Sequence, residues 1–218
     1  MNWASIPINE IIRNDYRLEA GCYNIDAIRA IELINKLDLD TKNLCGDEGL
    51  AHAHYPSRFK RIYVDKSSFP LVLPSQITDT RIKPVNYMSR KTLRSFESLR
   101  ITDNELLLTR SGTIGKVRYT TNSLKDLYLS DDLIRLKTND PVDSAYIYAF
   151  IRTNIGQILL SAKPYGAVIK HIEPEHLHNY KVPYPDEETR SNIGEKVIRS
   201  FELRDRSNSL VEAAEGML

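Results

Sequence analysis

The side chains able to do chemistry are few and poorly grouped. His52-Ala53-His54 follows shortly after Cys45, and His171, His176 and His178 fall within one short stretch. Zinc sites need paired CxxC or similar ligand spacing, which neither place has, so polar surface pairs are the simpler reading. Asp40-Thr41-Lys42 offers the acidic-x-Lys pair of a metal-dependent nuclease, but no Pro-Asp precedes it at a suitable distance. Gly112-Thr113-Ile114-Gly115-Lys116 invites a phosphate-loop reading, yet Arg110 stands where a Walker A loop needs glycine and Val117 where it needs Ser or Thr. The GxxG spacing also matches the KH clamp, which joins two helices. Here it lies between strand-like Leu106–Thr109 and Val117–Tyr119, so a tight turn with positive φ is expected. Serine nucleophile elbows, a methyl-donor glycine loop and an Asn-Pro-Pro-Tyr motif are missing, and no acid–base carboxylate pair can be picked out. The residues point to a binder rather than a catalyst, with no cofactor.

Charge is the stronger signal. Across 218 residues, 30 Lys and Arg against 29 Asp and Glu leave a net +1, which argues against a nucleic-acid partner. By region the balance is −4 over residues 1–57, +8 over 58–118 and −3 over 119–218. Arg81, Lys83, Arg90, Lys91 and Arg94 fall close together in the basic segment, the pattern of an anion-binding face. A solvated surface balanced by the flanking segments is the competing reading. With 41% hydrophobic and 27% charged residues the composition is that of a folded soluble protein, not a disordered one. No apolar run approaches the ~20 residues of a membrane span. Met1-Asn2-Trp3-Ala4 does not begin a signal peptide, and two cysteines make no disulfide framework, so a cytoplasmic location is expected.

Three kinds of element must position these residues. Ile28, Ile31, Ile34 and Leu37, with Leu33, predict a helix over 25–37 capped by Asn24. Between Phe59 and Leu133, short apolar or β-branched runs broken by Pro, Gly, Asn and Asp predict a β-rich body with irregular loops. Pro141 ends the last strand, and Ser144 and Asn154 are expected to cap two helices. Residues 186–218 contain no proline and carry an apolar stripe at Ile193, Val197, Phe201, Leu203, Leu210, Val211 and Met217. Leu203, Leu210 and Met217 are seven apart, as pairing with another helix requires. Some thirty residues of helix reach roughly 45 Å, so a protruding helix is expected over one folded back on the body.

Three segments, taken in order, resemble the target recognition domains of type I restriction-modification specificity subunits. They are Glu105-Leu106-Leu107-Leu108-Thr109-Arg110-Ser111-Gly112-Thr113-Ile114-Gly115-Lys116, the strand Leu129–Leu136, and Tyr165-Gly166-Ala167-Val168-Ile169-Lys170-His171-Ile172 leading to Val182-Pro183-Tyr184-Pro185. Tyr16–Ala20 with Tyr23, and Phe59–Val64, also fit. Two departures stand out. Arg190 occupies the place of a common glutamine before Ile193, and the chain holds one recognition domain and one helix where full subunits hold two of each.

The resemblance implies an α+β fold: a β-rich, irregular recognition domain with peripheral helices over residues 1–185, then a helix over 186–218 for antiparallel coiled-coil pairing. It implies a non-catalytic, sequence-specific DNA-binding subunit that directs methyltransferase and restriction subunits to a bipartite target. The chain would be a half-subunit restored as a homodimer, or one half of a longer chain. Arg pairs with guanine and Asn or Gln with adenine, so Gln76, Arg81, Asn86, Arg90 and Arg94 are the expected base readers. Lys83, Lys91, Arg110, Lys116, Arg118, Lys163 and Lys170 are the expected phosphate contacts. Two other classes remain: an interaction module with this fold and no DNA role, and a metal-dependent nuclease using His52, His54 or Asp40.

Overall fold

A computed structural model describes residues 5–13, 16–18, 23–92, 96–161 and 171–217. Its helices are α1 (Ile8–Arg13), α2 (Ile25–Lys36), α3 (Pro141–Ile151), α4 (Asn154–Ser161) and α5 (Glu187–Glu215). Its strands are β1 (Thr41–Asn43), β2 (His52–His54), β3 (Tyr63–Val64), β4 (Pro70–Val72), β5 (Asn86–Met88), β6 (Leu106–Thr109), β7 (Val117–Tyr119), β8 (Tyr128–Leu129), β9 (Leu133–Lys137) and β10 (Lys181–Pro183).

The central sheet runs β2-β9-β6-β7 and is antiparallel throughout. Alternation along its strands decides which layer each side chain enters. Leu106 and Leu108 of β6, Val117 and Tyr119 of β7, and Ile134 and Leu136 of β9 face a helical layer with Ala145, Ile147, Ile151, Leu160 and Phe201. Leu107 and Leu133 face the other way, meeting Val72, Ile77, Ile101, Leu124 and Leu129 of a second sheet and its loops. That sheet runs β3-β5-β4-β8, with the β4–β8 pair parallel. Its far side carries Leu71, Met88, Phe96 and Leu99. The molecule is therefore an α+β stack of helices, central sheet and outer sheet, with β1 and β10 forming a small ribbon.

Local expectations meet four corrections. Asn24 does cap α2, its side chain accepting from Ala27 N–H at 3.0 Å, but the buried face is Ala27, Ala30 and Ile34. Ile31, Leu33 and Leu37 are exposed because α4 packs on the small-residue side. Pro141 starts α3 rather than ending a strand, since proline lacks only an N–H that a first helical turn leaves unused. Asp140, not Ser144, supplies the cap, accepting from Val142 N–H at 2.9 Å, and Ser144 lies buried inside the helix. At α4 the hydroxyl of Thr153 accepts from Gly156 N–H at 3.0 Å, the capping bond expected of Asn154.

Helix α5 spans 29 residues, capped by Asp186, which accepts from Thr189 N–H at 2.8 Å. It lies along the body instead of protruding. Ile193, Val197, Ile198 and Phe201 join the helical-layer core, and Gly194 sits against α3 so closely that a Cβ there would lie 2.7 Å from the Val142 carbonyl oxygen. Arg190 anchors its first turn: it lies 3.8 Å over the Tyr184 ring, donates to the Pro185 carbonyl at 2.6 Å and pairs with Asp143 at 3.3 Å. Leu203, Leu210 and Met217 remain exposed, about 180° around the helix from Phe201 at 3.6 residues per turn.

Candidate nucleic-acid interface

The basic segment does not form one face. Strand β5 divides it, with Arg81 and Lys83 entering the strand and Arg90 and Lys91 leaving it. Arg81 and Lys83 reach α5, where Arg81 Nε lies 3.0 Å from Glu212 and Arg81 Nη1 3.0 Å from Glu215. Lys83 Nζ lies 3.4 Å from Glu215. Arg90 and Lys91 are exposed at the other end.

Three of the expected contacts are structural. Gln76 is buried, donating to the Lys83 carbonyl at 2.9 Å and accepting from Leu73 N–H at 3.0 Å, so it holds the β4–β5 connection together. Arg110 is buried against the Tyr55 ring at 4.5 Å and paired with Glu173. Its hydrogen bond to Glu173 helps raise its pKa. Arg118 is buried between the sheets, donating to the carbonyls of Asp79 and Ile77, with its cation 5.5 Å from the Phe201 ring. Burial first, then the nearby Arg204 charge, push its pKa down. A cation with its donors turned inward cannot also hold a phosphate, which corrects the expectation for Arg110 and Arg118, and the Gln76 amide is committed to backbone within the fold instead of facing a base. Residue type and charge revealed nothing of that burial.

Asn86 is half-buried on β5, and Lys116 is half-buried in the turn joining β6 and β7. Neither side chain makes a hydrogen bond or ion pair among the described residues. The expected turn is present, with φ of +72° at Gly112 and +82° at Gly115. The Thr109 hydroxyl closes it, donating to the Thr113 carbonyl at 2.6 Å and accepting from Lys116 N–H at 3.0 Å. Arg94, Lys163 and Lys170, with Tyr165–Lys170 of the resemblance, lie outside the described residues.

What does come together lies around β3. Ser89 N–H donates to the Ile62 carbonyl at 2.7 Å and the Thr92 hydroxyl to the same oxygen at 3.2 Å, setting Lys60 and Tyr63 beside Arg90 and Lys91. Lys60, Ile62, Tyr63 and Val64 are all exposed, Tyr63 at 49%. Arg90 lies 5.6 and 5.9 Å from the stacked rings of Phe69 and Phe96, which fix it by cation–π contact and leave it without a carboxylate partner among the described residues. Arg61 bonds Asp131 and Asp132 and so ties this strand to the β8–β9 turn. An edge with free cations and an exposed aromatic suits a polyanion with planar bases. Lys60 and Tyr63 escaped the sequence reading because Arg61–Val64 reads as core strand; the adjacent Lys60-Arg61 pair is the one signal that could have exposed it.

The nuclease reading finds no geometry. Among the described residues no group of three or more His, Cys, Asp or Glu side chains is placed to hold a metal ion. Nor is any described helix long and apolar enough to cross a membrane.

Comparison with known proteins places the chain in a class. Residues 65–204 match the type I restriction modification DNA specificity domain, a span that takes in strands β4 to β10, α3, α4 and α5 as far as Arg204. The chain belongs to that family. No curated protein matches the sequence. Among solved structures, a chain from work on complex assembly and conformational transition of the type I R-M system superposes with a TM-score of 0.51 at 13% identity. That match covers 87% of this chain and 47% of the other. The S subunit of a type I restriction-modification system from M. genitalium gives 0.49 at 12% identity, over 96% of this chain and 52% of that one. The HsdS subunit from Thermoanaerobacter tengcongensis gives 0.47 at 12% identity, over 92% and 48%. The chain thus spans about half the length of the structures it matches.

Proposed function

We propose that this protein is a non-catalytic DNA-reading half of a type I specificity subunit. Residues 1–185 read one half of a bipartite duplex target and residues 186–218 serve assembly. The observation that carries this reading is the family match over residues 65–204, from β4 into α5. The unpaired cations at the β3 edge support it. Lys60, Arg90 and Lys91 take phosphates, Tyr63 and Asn86 meet base edges or sugar, and Lys116 contacts the backbone from the β6–β7 turn. Arg94, Lys163 and Lys170 retain the roles expected of them from sequence. The methyltransferase and restriction subunits of such a system are the proposed protein partners.

The other half comes from a second copy of this chain or from a second recognition domain in a longer chain. Leu203, Leu210 and Met217 present an apolar seam on the side of α5 away from the body. Antiparallel pairing of two such seams places the two-fold axis near Leu210 and gives inverted-repeat half-sites. A titration with random-sequence duplex at low salt tests the DNA role: binding that weakens steeply with salt is expected. Absence of binding would instead leave an interaction module with the same fold.

A further inference from the structure

Helix α5 ends in Glu212 and Glu215, at the end of a helix where its own dipole disfavours negative charge. Each carboxylate is held by a cation from the β4–β5 connection. Arg81 Nε donates to Glu212 Oε1 at 3.0 Å, and Arg81 Nη1 donates to both oxygens of Glu215 at 3.1 and 3.0 Å. Lys83 Nζ lies 3.4 Å from the same carboxylate. Asn208 Nδ2 donates to the Thr80 carbonyl at 3.0 Å, and the Thr121 hydroxyl bonds Asp205. Beyond Phe201 this contact is polar; Lys83, Glu212 and Glu215 are each more than half exposed, and Arg81 is 20% exposed. Exposed ion pairs are individually weak, so a phosphate can replace either carboxylate without disturbing the core.

We infer that the last turns of α5 are a built-in competitor for DNA: Glu212 and Glu215 occupy the Arg81 and Lys83 positions that duplex phosphates would otherwise fill. This rests on the DNA-reading function proposed above. Carboxylates spaced three residues apart on one helical face present two anionic groups to one fork and one ammonium, as neighbouring phosphates do. Only a duplex seated well enough to displace the helix end gains these contacts, which weakens binding to unrelated sequence. The competitor face lies opposite Leu203, Leu210 and Met217, so a paired helix does not cover it.

The full chain carrying Glu212→Gln and Glu215→Gln tests this with labelled random-sequence duplex at several salt concentrations. Binding about three- to tenfold tighter at low salt is expected, with a log–log salt slope steeper by roughly one to two. Adding Arg81→Ala and Lys83→Ala should abolish the gain. A charge-matched variant, Glu195→Gln with Glu202→Gln, should show less of it. Unchanged or weaker binding by the Glu212/Glu215 variant, or an equal gain in the charge-matched one, overturns the inference while leaving DNA reading intact. Binding by neither wild type nor variant overturns both.

Discussion

Two buried arginines flank Leu107 across the central sheet, Arg118 on β7 and Arg135 on β9, and their surroundings differ. Arg135 forms a fork with Glu105 at 2.7 and 2.8 Å and donates to the Ser98 carbonyl at 2.9 Å. Glu105 is fully buried and also accepts from Thr102 N–H at 2.8 Å. Glu105→Ala leaves Arg135 buried and uncompensated, so it should cost about 3–5 kcal/mol of stability in urea unfolding. Replacing the pair together, Glu105→Leu with Arg135→Met, should cost much less. Beside this pair, burial first and then the Arg135 charge hold the His54 pKa below its ordinary 6.5, and its Nδ1 is buried without a partner. The unfolded chain therefore takes up a proton at a pH where the folded protein does not. Stability should fall as pH drops below about 6.5 towards the folded pKa. His54→Gln should flatten that part of a stability-against-pH curve.

At the scale of elements, α5 depends on close approach to α3 through Gly194. A methyl group there would meet the Val142 carbonyl at 2.7 Å and its Cγ1 at 2.8 Å, both on a packed neighbour. Gly194→Ala should cost about 1–3 kcal/mol, read as a lowered melting temperature. Helices α2 and α5 were legible because their periodicity runs over ten or more residues, and both lie close to their expected limits, whereas the six-residue α1 was not read. The strand-like runs at Arg61–Val64, Leu106–Thr109, Val117–Tyr119 and Leu129–Leu136 contain β3, β6, β7 and β9. Strands β1, β2 and β5 escaped because Thr41–Asn43, His52–His54 and Asn86–Met88 form no apolar or β-branched run, and the single strand expected over Leu129–Leu136 is broken by a turn at Asp131–Asp132 into β8 and β9. Which face of α2 is buried was not legible either, since the choice of Ala27 and Ala30 over Ile31 and Leu33 is made by α4. The candidate site fared similarly. Arg90 and Lys91 could be seen as available cations, but the turning inward of Gln76, Arg110 and Arg118 depends on Lys83, Glu173 and Asp79, which tertiary contact alone brings near.

For the whole molecule, the account requires one face for DNA and another for a second helix. Leu210→Asp should convert an elongated dimer, seen by scattering and sedimentation, into a monomer with unchanged helix content; a wild-type monomer would speak against pairing through α5. The central claim is that the β3 edge reads DNA. The direct measurement is the affinity for duplex DNA against salt for the wild type, for a Lys60→Ala/Arg90→Ala/Lys91→Ala variant, and for a control with Lys196→Ala and Arg199→Ala on α5. The account predicts that the β3-edge variant binds much more weakly and loses about two to three from the log–log slope, at about 0.9 per phosphate contact, while the control stays near wild type. Equal affinity and equal slope in all three proteins would contradict it.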